Sequence, residues 1–339
     1  MNIVQQKDIK EFASTFALAD RISNSSFLIT GATGLIGSTL IHCLLELDCN
    51  IRIVAPIRNK IKAIELFENK VDKIELIECD LTSFNYDTIE DIDYIIHCAA
   101  PTSSKFFIEK PVETFNIILD ATTALLKYAM RHNIKSFVYL SSIEVYGEIP
   151  NGADGVTENM QGFWDPMNVR SSYPMAKRAT ENLCCSYASE YKVPVKVARL
   201  TQTTGAGIAK DDNRVIAQFT RLAANGKNIV LHTIGDSARP YCYITDCISA
   251  LLYILLKGES GEAYNVANED TYISARGMAE FLSNHINPNI AVCFELNKNM
   301  GYAPISQLKL STEKIKNLGW KPYISEKEMY KRLYNYLKS

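Results

Sequence analysis

Phe27-Leu28-Ile29-Thr30-Gly31-Ala32-Thr33-Gly34-Leu35-Ile36-Gly37 is the stretch whose reading decides the fold. Four strand-forming residues run into a turn with three glycines, and an apolar helical pattern continues to residue 47. Strand, glycine-rich turn and helix start, in that order, make a pyrophosphate site for a dinucleotide. Phosphate must approach bare backbone N–H groups at a helix N-terminus, and glycine lets it. A tight strand–helix turn with nothing bound would look the same, so support has to come from the rest of the chain.

Working outward, strand and helix patterns alternate. Strand 51–57 is followed by a charged helical stretch, strand 74–78, strand 94–98, helix 111–132, strand 136–141, helix 172–191 and strand 195–199. Repeated units at this spacing predict an α/β fold with a parallel, doubly wound sheet and right-handed crossovers. Upstream, residues 4–20 read as an amphipathic helix with Ile9, Phe12, Ala13 and Phe16 on one side, a packing extension covering residues 1–24. Past residue 200 the pattern becomes irregular, with helices expected at 246–257 and 274–286. The expected division is a dinucleotide-binding domain of 25–199 plus about 241–264. A smaller α+β substrate-binding domain would take 200–240 plus 265–339. The turn-rich stretch 147–171 (Gly147, Pro150, Gly152, Gly155, Gly162, Pro166) is expected to loop over the active site.

Bulk composition narrows the partners. With 47% hydrophobic and 22% charged residues and a formal net charge of −2, the 339-residue chain gives no support for nucleic acid or an anionic membrane. Nine cysteines form no C-x-x-C pair, and Cys43, Cys98, Cys184 and Cys185 sit in apolar runs, as small buried hydrophobes do. No metal site or disulfide is expected, and a reducing cytoplasm fits. The first twenty residues carry acids and lysines rather than an apolar signal core, and no run reaches membrane-spanning length.

The chemistry centres on Tyr173-Pro174-Met175-Ala176-Lys177. A tyrosine four residues before a lysine on a helix shares a face with it, where the ammonium favours the phenolate and allows proton exchange near neutral pH. The pair alone arises often by chance. Val138-Tyr139-Leu140-Ser141-Ser142, an apolar strand ending in hydroxyls, strengthens it.

Glycine turn, serine at a strand end and Tyr-x-x-x-Lys together resemble the extended short-chain dehydrogenase/reductase family (NAD-dependent epimerases and dehydratases), over nearly the whole chain. The motifs are most similar to UDP-glucuronate decarboxylase-like nucleotide-sugar enzymes. The resemblance implies a Rossmann-type sheet and a nicotinamide cofactor held by Gly31, Thr33, Gly34, Leu35, Ile36, Gly37, Asp80, Leu81, Ala99, Ala100, Tyr173 and Lys177. It implies that Ser142 bonds a substrate oxygen, that Tyr173 exchanges the proton, and that Lys177 holds the nicotinamide ribose and depresses the tyrosine pKa. Glu144, two residues past Ser142, resembles the acid of sugar-nucleotide dehydratases and UDP-glucuronate decarboxylases, where it assists elimination or decarboxylation. The dehydratase pattern has an aspartate where this chain has Ile143, which disfavours dehydration. Similarity to the decarboxylase-like group continues through Ala99-Ala100-Pro101-Thr102-Ser103, Arg170-Ser171-Ser172-Tyr173, Asp212-Asn213-Arg214-Val215 and the run from Ser237 to Asp246. It implies substrate contacts from Thr102, Ser103, Arg214 and Arg239.

Three departures touch the substrate and the cofactor. Gln202 stands where the family has an asparagine for the sugar diphosphate, and Ala206 replaces a proline. Before the landmark Leu318-Gly319-Trp320-Lys321-Pro322, the family's basic cluster is reduced to Gln307-Leu308-Lys309-Leu310, leaving fewer charge-assisted bonds for a diphosphate. The second strand ends Ile53-Val54-Ala55-Pro56-Ile57-Arg58-Asn59, with an arginine where NAD sites commonly place an acid; Arg58 suits a 2′-phosphate and tilts the cofactor from NAD(H) towards NADP(H).

The expected function is a nucleotide-sugar epimerase, dehydratase or decarboxylase-type enzyme working through a keto-sugar, with a small-molecule sugar substrate. The alternative is an NADPH-dependent reductase of a ketose phosphate or keto-sugar, supplying precursors for a bacterial surface polysaccharide. A non-enzymatic NAD(P)-binding regulator is disfavoured by the intact Ser142, Tyr173 and Lys177. Helices 111–132 and 172–191, with Leu125, Leu126, Tyr128, Leu183 and Tyr187, are expected to pair two copies into a homodimer.

Overall fold

The computed structural model describes residues 1–150, 155–296 and 305–339, so Gly152 of the turn-rich stretch lies outside the described residues. The first half contains α1 (Ile3–Thr15), β1 (Ser25–Thr30), α2 (Leu35–Glu46), β2 (Ile51–Ile57), α3 (Lys60–Phe67), β3 (Ile74–Glu78), β4 (Tyr94–His97), α4 (Ser104–Glu109) and α5 (Pro111–Arg131). Next come β5 (Ser136–Ser142), α6 (Ser172–Tyr191), β6 (Val195–Leu200), β7 (Gln202–Thr204), α7 (Val215–Ala224), β8 (Ile229–Leu231), β9 (Ala238–Tyr243) and α8 (Ile244–Lys257). The chain continues through β10 (Ala263–Val266), β11 (Asn268–Ser274), α9 (Ala275–Phe281), β12 (Val292–Phe294), α10 (Glu313–Lys316) and α11 (Glu326–Lys338).

Seven strands form one parallel sheet in the order β10-β6-β5-β4-β1-β2-β3. It is the expected doubly wound α/β sheet, and burial on both faces explains the apolar middles of its central strands β1, β4 and β5. Phe27 and Ile29 point into a core shared with α2 and α8, whereas Leu28 points to the opposite face with Leu125 and Leu126 of α5. Val138 and Leu140 of β5 join the first core, and Phe137 and Tyr139 join the second. Each fully buried side chain of this size contributes about 1.5–3 kcal/mol, so neither face of a central strand is dispensable.

α1 docks through Ile9, Phe12 and Phe16, all buried, and ends at Thr15 rather than residue 20. Ser14 and Thr15 turn their hydroxyls back onto the Glu11 carbonyl, a local competition that weakens the last turn. A buried ion pair fastens it, with Asp8 Oδ1 2.8 Å from Arg332 Nη1 on α11. The helix expected at 274–286 is α9 followed directly by a wide π turn, Leu282–Ile286.

Beyond β6 the chain builds a three-stranded sheet, β11-β9-β7, and a two-stranded pair, β12-β8. Between them, α8 and β10 return to the large sheet, β10 pairing with β6 at its edge. The C-terminal ends of the parallel strands therefore face the small sheet across a crevice, the usual ligand position in such folds.

Candidate active site

β1 delivers the chain into the glycine turn under tight steric control. Gly31 has φ +69, where a Cβ would lie 2.8 Å from the Ala99 backbone nitrogen. A Cβ on Gly37 would run into the Gly31 carbonyl oxygen, and the Gly34 N–H donates to that carbonyl at 3.0 Å. The turn closes on itself, and Gly34 stands at the N-cap of α2 with its backbone exposed. Thr33, Leu35 and Ile36 line the same turn, each partly exposed, with Leu35 and Ile36 packed against the core. A cradle that any side chain would fill fits the pyrophosphate of a dinucleotide. Beneath it, the Thr30 hydroxyl accepts from the Ala99 N–H at 3.3 Å and meets His97 Nδ1 at 2.6 Å. Thr122 gives its proton to the Ile118 carbonyl, so its oxygen accepts from His97 Nε2–H. That leaves Nδ1 as the acceptor for Thr30. His97 is neutral, its pKa lowered to about 3 by burial and then by the Lys177 charge.

On the adenine side, Arg58 is exposed at the end of β2. Asp80 follows β3, its carboxyl held below the usual range by the N–H and hydroxyl of Thr82 and more weakly by Arg58. Leu81 is half-buried beside it, and Ala99 and Ala100 line the loop after β4.

The chemical groups converge at the end of β5 and the start of α6. Tyr173 is buried on α6, and burial, then the Glu144 charge, raises its pKa well above the ordinary value. A hydrogen bond from Ser142 and the Arg170 charge pull in the opposite direction. Lys177, one turn on, is also buried, which lowers its pKa to about 8; Glu181 works against that drop. Its Nζ donates to the Leu140 carbonyl at 2.6 Å and lies 5.9 Å from the Tyr173 ring centre. The groups that ease deprotonation of Tyr173 are thus Ser142 and Arg170, and Lys177 stands below the ring. Glu144 Oε2 accepts from Arg170 Nη2 at 3.0 Å, and Trp164 Nε1 fixes the Glu144 carbonyl at 2.7 Å. Hydroxyl, phenol, ammonium and carboxylate share one pocket beside the glycine cradle, an arrangement suited to proton exchange with a sugar hydroxyl.

A family model for the "NAD dependent epimerase/dehydratase family" matches residues 27–267, from β1 to just past β10. The chain belongs to this family. It is 28% identical to UDP-glucuronic acid decarboxylase 5 of Arabidopsis thaliana over 90% of this chain and 87% of that one. The fold is that of the UDP-glucose 4-epimerase of Thermotoga maritima, solved with UDP-glucose. Their TM-score is 0.79 at 21% identity, covering 92% of this chain and 98% of that one. It is also that of RMD from Pseudomonas aeruginosa, solved with NADPH, with a TM-score of 0.74 at 23% identity and coverage of 93% and 99%. As a member of the epimerase/dehydratase family the chain is an oxidoreductase-type enzyme with a nicotinamide cofactor, and its glycine cradle agrees.

Placement of the expected substrate residues varies within this family frame. Thr102 is exposed; Ser103 is too, and caps α4 by accepting the Phe106 N–H at 3.4 Å. Gln202 begins β7 with its Oε1 buried and lacking a hydrogen-bond partner. Arg214 is engaged already: Nη2 is 2.6 Å from Asp212 Oδ2, and Nη1 donates to the Thr203 carbonyl at 2.7 Å. Arg239 lies on β9, paired with Ile273 of β11, and its guanidinium makes no hydrogen bond to any described residue. Among the described residues no group of three His, Cys, Asp or Glu gathers as a metal would need.

Sequence reasoning passed over Arg170, which stood only inside a compared run, and Phe107, whose ring stacks on Tyr173 with centroids 4.2 Å apart. It also passed over Arg178, which donates to the carbonyls of Val145, Tyr146 and Gly162 and so shapes the loop carrying Glu144. Arg178, one residue after Lys177 on a helix entering the site, had only that adjacency as a signal.

Proposed function

We propose that the chain modifies a nucleotide sugar through a transient keto-sugar, as a decarboxylase- or epimerase-type enzyme. Ser142 positions the sugar hydroxyl, Tyr173 takes its proton, and Lys177 fixes the ribose of the cofactor. A bound nicotinamide would supply a reversible hydride acceptor for the same sugar carbon. Glu144 stands beside the ring, where a carboxylate assists bond cleavage next to the new ketone. One observation carries this reading over a simple keto-sugar reductase: Glu144 lies close enough to Tyr173 for its charge to act on the phenol, and Arg170 holds it there. A reductase would give that carboxylate no task.

The test is to denature freshly purified protein, identify any released nicotinamide by mass spectrometry, and offer UDP-glucuronic acid. Near-stoichiometric dinucleotide with loss of carbon dioxide or inversion at a ring carbon is expected. An empty protein that only consumes added NADPH would reverse the reading in favour of the reductase.

For the cofactor, exposed Arg58 in the acid-free run Ile57-Arg58-Asn59 that ends β2 supports NADP(H). Arg58→Ala should weaken NADPH about tenfold or more, the worth of a charge-assisted bond, and leave NADH unchanged; equal losses would sink the preference. Residues 200–240 and 265–339 supply the substrate side in this scheme. A homodimer across α5 and α6 is proposed as well. Leu125, Leu126 and Tyr128 lie inside this chain's own core, so Leu183 and Tyr187, only partly buried, would carry the contact. Light scattering decides between one copy and two. All nine cysteines are free, which supports a reducing, cytoplasmic compartment.

A further inference from the structure

Tyr173 belongs to a closed loop of contacts that includes Phe107, with no task in the scheme above, and Arg170, so far only the holder of Glu144. Its ring stacks on Phe107, planes 11° apart. The Arg170 guanidinium lies over the Phe107 ring, 5.4 Å from its centre. From that platform Nη2 reaches the Glu144 carboxylate at 3.0 Å, and the Glu144 charge acts in turn on Tyr173. The ring of contacts is braced at three points. Asn168 Oδ1 accepts the Arg170 N–H at 2.9 Å, Ser172 Oγ donates to the Phe107 carbonyl at 3.2 Å, and Trp164 Nε1 donates to the Glu144 carbonyl at 2.7 Å. Arg170 Nη1 is buried with no hydrogen-bond partner. A guanidinium held with a donor unmet is not there merely to satisfy its own hydrogen bonds.

We propose that Arg170 is a positioning residue for Tyr173: gripping Glu144 from the Phe107 platform, it sets how much of that carboxylate's charge the phenol feels. The inference rests on the reading of Tyr173 as the proton acceptor. The groups facing the phenol are few. Glu144 and Arg170 approach from the loops, and Ser142 from the end of β5. From α6 itself comes Lys177, below the ring and bonded to the Leu140 carbonyl; buried Tyr139 lies beneath that lysine, whose Nζ is 4.6 Å from its ring centre. Of the two loop charges, Glu144 makes the phenol harder to ionise and Arg170 makes it easier. Removing the arginine frees the carboxylate's full effect, and removing both should nearly restore the starting balance.

The experiment is a carbon-13 NMR titration of tyrosine labelled at the hydroxyl-bearing carbon, in the protein as isolated and saturated with oxidised cofactor. The Tyr173 signal is assigned by its loss in Tyr173→Phe. Arg170→Met should move the titration up by about one unit, a tenfold change in proton affinity. Glu144→Gln should move it down, the double variant should return near the starting form, and Arg170→Lys should recover part of the shift. Phe107→Leu, which removes only the platform, should give a smaller upward shift. A merely structural arginine would not have its effect reversed by changing Glu144. An Arg170→Met titration that coincides with the unsubstituted protein overturns the proposal, as does a Glu144→Gln phenol that stays protonated to the same pH. The acid limb of turnover on a nucleotide sugar should follow the same order. Shifts as expected without such turnover would keep this inference and discard the substrate reading; turnover with unmoved titrations would do the reverse.

Discussion

The glycine cradle at the end of β1 and the substrate face around β5, β7 and β9 are built on opposite principles. In the cradle the backbone decides. Gly31 holds a left-handed φ with the loop after β4 pressed against it, and Gly37 has no room for a Cβ beside the Gly31 carbonyl. On the substrate face side chains decide, some answering to near neighbours and some to partners further along the chain. Arg214 answers to Asp212 and Thr203, Glu144 to Arg170, and the oxygen of Gln202 to no group among the described residues. A backbone site tolerates almost no replacement and announces itself in sequence. A side-chain site can be rewired by one substitution, and this is where the chain departs from the pattern of its family.

The sharpest break in that comparison falls on Tyr173, where the two sides meet. Tyr173→Phe keeps the ring on Phe107 and removes only the phenolic proton carrier. Turnover should drop about 10²–10⁴-fold, the usual worth of a general acid–base group, while cofactor affinity stays within about twofold. Equilibrium binding and single-turnover kinetics on one preparation check both halves. A parallel loss of cofactor would mean the two sides are not separable.

Gly37→Ala tests the backbone side alone. The new methyl meets the Gly31 carbonyl, a backbone atom that cannot swing away. Overpacking of this kind costs about 1–3 kcal/mol, so affinity for the dinucleotide should fall about tenfold or more, with a lower unfolding temperature. Isothermal titration of the purified variant measures it. Unchanged affinity would show that the turn is a packing feature and not the cradle.

The same contrast governed what could be read from sequence. Phe27-Leu28-Ile29 of β1, Ile53-Val54-Ala55-Pro56-Ile57 of β2 and Phe137-Val138-Tyr139-Leu140 of β5 are apolar runs, so their burial on both faces was written into composition. Tyr173 and Lys177 sit four apart on one helix, a local relation. By contrast β7 is three residues long and pairs with β9 through Gln202 and Tyr241, some forty positions apart. Nothing local marks such a strand. Likewise Arg170 was visible only as one letter of a compared run. Its importance comes from Phe107 on α4 and Glu144 just past β5, each distant in sequence, and Arg214 looked like an anion ligand because Asp212, two residues away, does not advertise a bidentate fork.

Arg214 and Arg239 split the substrate side into a fastened and an available cation. Arg239→Met should raise KM for the nucleotide sugar about tenfold with stability intact, since its guanidinium bonds no described residue. Arg214→Met should show the reverse emphasis. It strands Asp212, whose pKa the pair holds down despite burial, and should cost about 1–2 kcal/mol of stability after allowing for solvent screening. Urea unfolding alongside steady-state kinetics separates them, and matching KM losses from both would place both guanidinium groups on substrate.

The smallest effect asks which side of the site carries acid sensitivity. His97 is neutral in the fold with its pKa lowered to about 3, against an ordinary value of 6.5, so between those limits the unfolded chain binds the extra proton. Its contribution is complete above pH 6.5 and is lost progressively as pH falls towards 3. One unit below 6.5 this amounts to about 1 kcal/mol. Asp212 acts elsewhere: its lowered pKa confers stability that is lost only below the ordinary carboxylate range. Buried His42, lowered to about 4, loses stability in the same window, while buried Asp246, raised to about 7, gains it as pH falls and works against both histidines. His97→Gln keeps an acceptor for Thr30 and a donor for Thr122 but removes the titrating ring. It should be somewhat less stable at neutral pH and lose less on acidification, so that its unfolding curves approach those of the unsubstituted protein near pH 5. Urea midpoints at three pH values suffice. An undiminished slope would assign the acid loss to His42, away from the cradle, and would leave the Thr30–His97–Thr122 chain a packing device without electrostatic consequence.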